Sequence, residues 1–286
     1  MYKLNLGCSI EPFSTQIYQD KTYEIIPLYD DFAKAIAEFK ENGFNSIELS
    51  PMAGWNFEEE QKYLPLASDF LKVVKQSGIK LNSIHLPFAL PFWDFSALEE
   101  EKRKFSVEHA KWAIDTFEKE TPKYFVIHHG LRPKTDEDRK PMLEQLVKSL
   151  NELCEYTNAT ICIENMTGTG LLNQTSEALW LIERVPKLMM VIDTNHMFIE
   201  KPEEYIEKIG SRIKCLHISD RDEERERHWL PNEGVLNWKN IIEALEKVGY
   251  SGEFTYEIGI PKSKYTAQQI KENYEKLFED YNALKQ

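Results

Sequence analysis

The sequence predicts an α/β protein, a (β/α)8 barrel forming one domain over residues 1–286, and three observations carry that expectation. Eight short apolar runs read as strands, a helical pattern follows each, and no Gly/Pro/Ser-rich linker divides the chain. A length of 286 residues also suits two ordinary domains, but nothing marks a boundary between them. A doubly wound open sheet is the alternative. It would more often bring a phosphate-binding glycine turn after its first strand, and Cys8-Ser-Ile-Glu-Pro12 offers none. A barrel gathers the C-terminal ends of all eight strands at one mouth, where chemistry is expected.

The elements follow in order. The first strand is expected at Lys3–Cys8 and the first helix at Tyr29–Asn42, with Gly43 just past its end. Ser46–Leu49 precedes a long helix over Glu58–Gly78, and Lys80–His85 precedes Ala97–Lys119. Tyr124–His128 leads to Asp136–Tyr156, Thr160–Glu164 to Thr175–Arg184, and Met189–Asp193 to Pro202–Ile209. Ile213–Ile218 and Glu253–Ile258 are followed by Trp238–Val248 and Thr266–Leu284. Gly43, Gly78, Gly210 and Gly249 stand where helix ends favour a left-handed residue.

Composition narrows the function classes. With 42% apolar and 29% charged residues the chain has ample material for a core. No run of eighteen apolar residues suggests a membrane span, and Met1-Tyr-Lys-Leu-Asn-Leu6 does not read as a secretory signal. Cys8, Cys154, Cys162 and Cys215 are scattered, with no C-x-x-C pair, and read as reduced thiols. The expectation is a cytoplasmic protein without a membrane partner. A net charge of −13 argues against a nucleic-acid partner, since phosphates need a local surplus of Lys and Arg.

The strand ends carry the chemistry. Strand three ends in His85, strand four in His128-His129, strand five in Glu164-Asn165, and strand six in Asp193 with His196 beyond it. Strand seven closes with His217 and Asp220, and strand eight with Glu257. One strand-end histidine would read as a satisfied core residue. Six consecutive strands ending in His, Asp or Glu read as a site for a divalent cation such as Mn²⁺, Co²⁺ or Zn²⁺. Several carboxylates in one cavity without a cation would suffer repulsion and desolvation.

Glu164, Asp193, His217 and Glu257, from four adjacent strands, are the expected ligands. A glutamate bound through one oxygen can use the other as a general base while the cation stabilises a neighbouring enediolate, which suits proton transfer next to a carbonyl. Glu48 points into the barrel by alternation, as a buried acid against strands one or three or as a substrate contact. Trp55, Phe88, Phe92 and Trp93 follow strands two and three, either as an apolar wall or as loop packing. His109, alone in mid-helix, is expected on the surface.

Taken together, "IELSP", "IHLPF", "VIHHG", "IENMTGTG", "VIDTNH", "LHISDRD", "HWLPNEGVLNW" and "VGYSGEFTYEI" give the chain a family likeness. It resembles the xylose isomerase-like TIM-barrel superfamily from strand two to the final helix. That superfamily holds sugar isomerases and epimerases beside endonuclease IV-type repair enzymes (AP endonuclease family 2). In the sugar branch the resemblance implies one metal ion held by Glu164, Asp193, His217 and Glu257, with the two glutamates as acid/base pair. His196 would then contact a substrate hydroxyl. In the endonuclease branch it implies up to three zinc ions, with His85, His128, His196, Glu226 and His228 as additional ligands. Thr169 and Asn195 depart from that branch, where Gln and Cys are usual, and Glu226-Arg-His228 replaces Asp-x-His.

The expected function is therefore a divalent-metal-dependent isomerase or epimerase of a sugar, or of a sugar-like polyol or keto-acid. The metal is Mn, Co, Mg or Zn, and the partner is a small-molecule carbohydrate, with His85, His196, His228 and Trp55 as substrate contacts. Arg221 is read as a solvated loop charge, or as a contact for an anionic group. The alternatives are an endonuclease IV-like zinc phosphodiesterase, an inosose-type dehydratase, and a non-catalytic binding barrel. A homo-oligomer is open, with Pro91-Phe-Trp-Asp-Phe95 as a candidate subunit contact.

Overall fold

The computed structural model describes residues 1–18, 23–52, 56–88 and 91–285. Eight parallel strands form the barrel: β1 (Asn5–Ile10), β2 (Ser46–Leu49), β3 (Lys80–His85), β4 (Tyr124–Ile127), β5 (Thr160–Glu164), β6 (Met189–Asp193), β7 (Ile213–His217) and β8 (Glu253–Ile260). Their order is β8-β1-β2-β3-β4-β5-β6-β7. The ring closes where Ile218 bridges β8, its N–H donating to the Thr255 carbonyl at 2.8 Å while the Glu257 N–H donates to the Ile218 carbonyl at 3.1 Å. All eight expected strands are present. The first is displaced from Lys3–Cys8 to Asn5–Ile10, because Ile10 pairs with both Leu49 and Ile260.

The helices are α1 (Tyr29–Glu41), α2 (Phe57–Tyr63), α3 (Ala67–Ser77), α4 (Glu100–Glu118), α5 (Asp136–Tyr156), α6 (Thr175–Arg184), α7 (Pro202–Ile209), α8 (Trp238–Lys247) and α9 (Ala267–Ala283). The single helix expected over Glu58–Gly78 is two. Pro65 lies in the 3-10 turn Leu64–Leu66 between them, where its missing N–H interrupts the ladder. Gly78 closes α3 at φ +81°, a conformation open to glycine without strain. Two antiparallel hairpins went unread in the sequence, Phe13–Ile17 with Tyr23–Pro27 and Asp220–Arg221 with Glu226–Trp229. Their strands are short and half-exposed, so they carry no sustained alternation.

The main core lies between the strands' outer faces and the helices. A smaller layer fills the barrel: Val126, Cys162, Val191 and Cys215, packed with Tyr124 and Met189. All four cysteines are buried and unpaired. One expectation is corrected here. His109 is buried, not on the surface, and its Nε2 lies 2.7 Å from Glu60 on α2. In the Pro91–Phe95 segment Trp93, Asp94 and Phe95 are buried within their own chain, while Pro91 is exposed and Phe92 half-buried. Among the described residues no helix is long and apolar enough to cross a membrane.

Candidate active site

Period-two alternation builds the site. Cys162, Val191 and Cys215 fill the barrel interior, so the residues two positions on, Glu164, Asp193 and His217, also point inward, one layer nearer the mouth. The same register sets Val126 below His128 and pairs Asp193 with His217 across β6 and β7. Glu48, His85, His128, Glu164, Asp193, His196 and His217 are all buried. Glu257 keeps 23% of its side chain exposed.

The carboxylates and rings are in contact. Glu164 Oε2 lies 3.2 Å from His85 Nε2, 3.3 Å from His128 Nε2 and 3.2 Å from His217 Nδ1. Its Oε1 is 3.1 Å from His196 Nδ1. His217 Nδ1 is also 3.6 Å from Glu257 Oε2. Ligand atoms of Glu164, Asp193, His217 and Glu257 fall within 4.8 Å of one another, and the trio His85, His128 and Glu164 meets the same limit.

Burial and the close packing of acids and imidazoles set the electrostatics of the cluster. Burial pushes the Asp193 carboxyl up and His196 only partly offsets it, while Glu257 and Glu164 add to the rise, leaving it well above the usual carboxylate range. Burial would raise Glu164 too, but His217, His128 and His196 hold it well below that range. Burial would lower His217, yet Glu257, Glu48 and Glu164 carry it well above the ordinary imidazole value. For His128 burial prevails over Glu164, and its pKa falls. Asp193 Oδ2 and His217 Nδ1 are buried without a hydrogen-bond partner. Three carboxylates and an imidazole, with Asp193 Oδ2 and His217 Nδ1 free of hydrogen bonds, form a donor set that could hold a divalent cation.

Residues 36–279 match the family model of the xylose isomerase-like TIM barrel. The chain belongs to this family. It is 30% identical to an uncharacterized protein of Methanocaldococcus jannaschii over 67% of this chain and 79% of that one. It is 26% identical to the fructoselysine 3-epimerase of Shigella flexneri over 56% of this chain and 61% of that protein. The D-psicose 3-epimerase from Clostridium cellulolyticum H10, solved with D-tagatose, shares the fold at TM-score 0.71 and 15% identity, covering 98% of this chain and 99% of that one.

Within this xylose isomerase-like barrel, the residues singled out in the sequence divide into groups. Glu164, Asp193, His217, Glu257, His85, His128 and His196 converge. His196 Nε2 faces Glu226 at 3.6 Å, whereas His228 turns its Nδ1 to the Glu257 carbonyl at 3.0 Å and stays 40% exposed. Phe88 lies over the site, its ring centroid 4.2 Å from that of His128. Trp93 is no wall: its Nε1 donates to both Glu60 oxygens at 2.9 Å. Trp55 lies outside the described residues. Arg221 is half-buried, 3.9 Å from the Phe198 ring centroid, and it donates to the Asp222 and Met197 carbonyls.

Two asparagines were quoted in the motifs but given no task. Asn165 locks β5 to β6 in both directions, accepting from the Asp193 N–H at 2.8 Å and donating to its carbonyl at 3.0 Å. Asn195 accepts from the Arg227 N–H at 3.2 Å and so ties the β6 end to the hairpin bearing Glu226. The recurrence of Asn just after an acidic strand end, in "IEN" and "DTN", was the signal available for both.

Proposed function

We propose that the chain is a divalent-metal-dependent sugar isomerase or epimerase, acting as one barrel domain on a small-molecule carbohydrate. The observation that carries this reading is two glutamates, Glu164 on β5 and Glu257 on β8, in one cluster with Asp193 and His217 from the two strands between them. The naming of relatives as a fructoselysine 3-epimerase and a D-psicose 3-epimerase supports it. A cation held by Glu164, Asp193, His217 and Glu257 would supply electrostatic stabilisation of charge developing on a substrate oxygen. One glutamate takes the proton from the carbon beside the carbonyl and the other returns a proton. His85, His196 and His228 hold hydroxyl groups, and Phe88 covers the His85–His128 side from water.

The test is exchange in heavy water with Mn²⁺ or Co²⁺ present, over a panel of ketoses and their phosphates. Deuterium should enter at the carbon next to the carbonyl of at least one ketose. A metal-loaded protein that exchanges none of them ends this reading. One observation favours a second reading, zinc-dependent phosphodiester hydrolysis, namely the additional trio His85, His128 and Glu164. Chelator-sensitive cleavage of abasic DNA would establish it instead.

A further inference from the structure

Glu48 has no role in the chemistry above, yet it is buried at the mouth and reaches across it. β2 and β7 are separated in the closed sheet by β8 and β1, but Glu48 Oε1 lies 2.8 Å from Nε2 of His217. Its other oxygen accepts from the Ser83 hydroxyl at 2.7 Å, which fixes the carboxylate from β3. His217 therefore has acids at both ring nitrogens, Nδ1 toward Glu164 and Glu257 and Nε2 toward Glu48. Glu48 Oε1 and His217 Nε2 are both buried and have no hydrogen-bond partner elsewhere, so their 2.8 Å contact is the polar contact open to each.

A neutral imidazole carries one proton, and the nitrogen that ligates a cation must be the bare one. The proton then sits on the far nitrogen and needs an acceptor there. We propose that Glu48 is a positioning residue: it holds His217 with its proton on Nε2, so that the Nδ1 lone pair faces a divalent cation shared with Glu164, Asp193 and Glu257. Carboxylates behind ligating histidines act this way in metal sites generally, and their loss weakens metal binding about 10- to 100-fold. Ser83 acts one step further out by holding Glu48. The inference rests on the metal-dependent reading above. A purely structural Glu48 would affect folding alone and leave the electronic environment of a bound ion unchanged.

Co²⁺ separates these cases, because its visible absorption reports the ligand field and titration gives its affinity without any substrate. Glu48→Leu removes the acceptor, while Glu48→Gln keeps an acceptor oxygen and loses the charge. Glu48→Leu is expected to bind Co²⁺ about 10- to 100-fold more weakly with a shifted band. Glu48→Gln should fall between it and the unmodified protein. If Glu48→Leu does not fold, Glu48→Gln decides, by a several-fold loss for the proposal or unchanged affinity and spectrum against it. Unmodified protein that takes up no Co²⁺ overturns the metal reading and this inference with it. Variants that bind like the unmodified protein, with the same spectrum, overturn this inference alone.

Discussion

Replacing His109 by Leu tests whether the buried Glu60 depends on it. Glu60 on α2 is fully buried, and its carboxylate accepts from Trp93 Nε1 at 2.9 Å and contacts His109 Nε2 at 2.7 Å. His109 comes from α4, so the contact joins the segments that follow β2 and β3. Removing the donor that faces a buried carboxylate costs about 3 kcal/mol, because the carboxylate stays buried without it. At roughly 2–4 °C per kcal/mol for a chain of this size class, melting should fall on the order of 10 °C.

The pH dependence of this variant has a definite sign. Burial already raises the Glu60 carboxyl, against the opposing His109 and Trp93. Taking His109 away removes part of that opposition and raises it further. A carboxyl whose folded pKa lies above its unfolded value favours folding most below the unfolded value, and that contribution is lost as pH rises through the folded one. His109→Leu should therefore lose more stability at pH 7 than at pH 5, measured by circular dichroism melts. His109→Gln, which keeps a donor, should recover much of the loss. An unchanged melting temperature at pH 7 for His109→Leu would refute the reasoning.

Other outcomes follow from the same geometry. Glu257→Gln should lower ketose turnover about 10²- to 10⁴-fold while the fold survives, as judged by melting, because it removes the proposed general acid or base from the mouth. Adding a methyl at Gly234 would place a carbon 2.2 Å from the Arg221 carbonyl oxygen and 2.4 Å from Asp220 Oδ1. Gly234→Ala should accordingly cost about 1–3 kcal/mol and raise KM by shifting the loop that holds Glu226 and His228. Stripping divalent ions with a chelator should lower the melting temperature, and Mn²⁺ at 100 times its Kd should restore about 2.7 kcal/mol, whereas an insensitive melt would count against the cation.

Much of the architecture was legible because barrel strands are short, apolar and period-two. The strand ends Glu164, Asp193 and His217 follow from that register alone, since Cys162, Val191 and Cys215 two residues earlier fill the interior. What escaped depends on partners distant in sequence. Nothing local distinguishes His109, in mid-helix, from a surface histidine. Its burial follows from Glu60, 49 residues away, and from Trp93. The alternation at Glu48 gave its direction but not its partner, because His217 lies across the barrel and not on a neighbouring strand. Pro65 marked the break between α2 and α3, yet the apolar pattern runs through it and hides the break.

The two glutamates at the heart of the site are not in equivalent surroundings. Glu164 is buried and shared among His85, His128, His196 and His217, so both its oxygens are already engaged. Those rings hold it well below the usual carboxylate range, although burial acts in the opposite sense. Glu257 keeps part of its side chain in the mouth, and its imidazole contacts are longer, 3.6 Å to His217 and 4.0 Å to His228. A proton acceptor needs a free lone pair and access to the reacting carbon. By that criterion Glu257 is the better placed of the two to meet a substrate arriving from the mouth. Glu164 is the better placed to hold the ring of histidines in register beneath it.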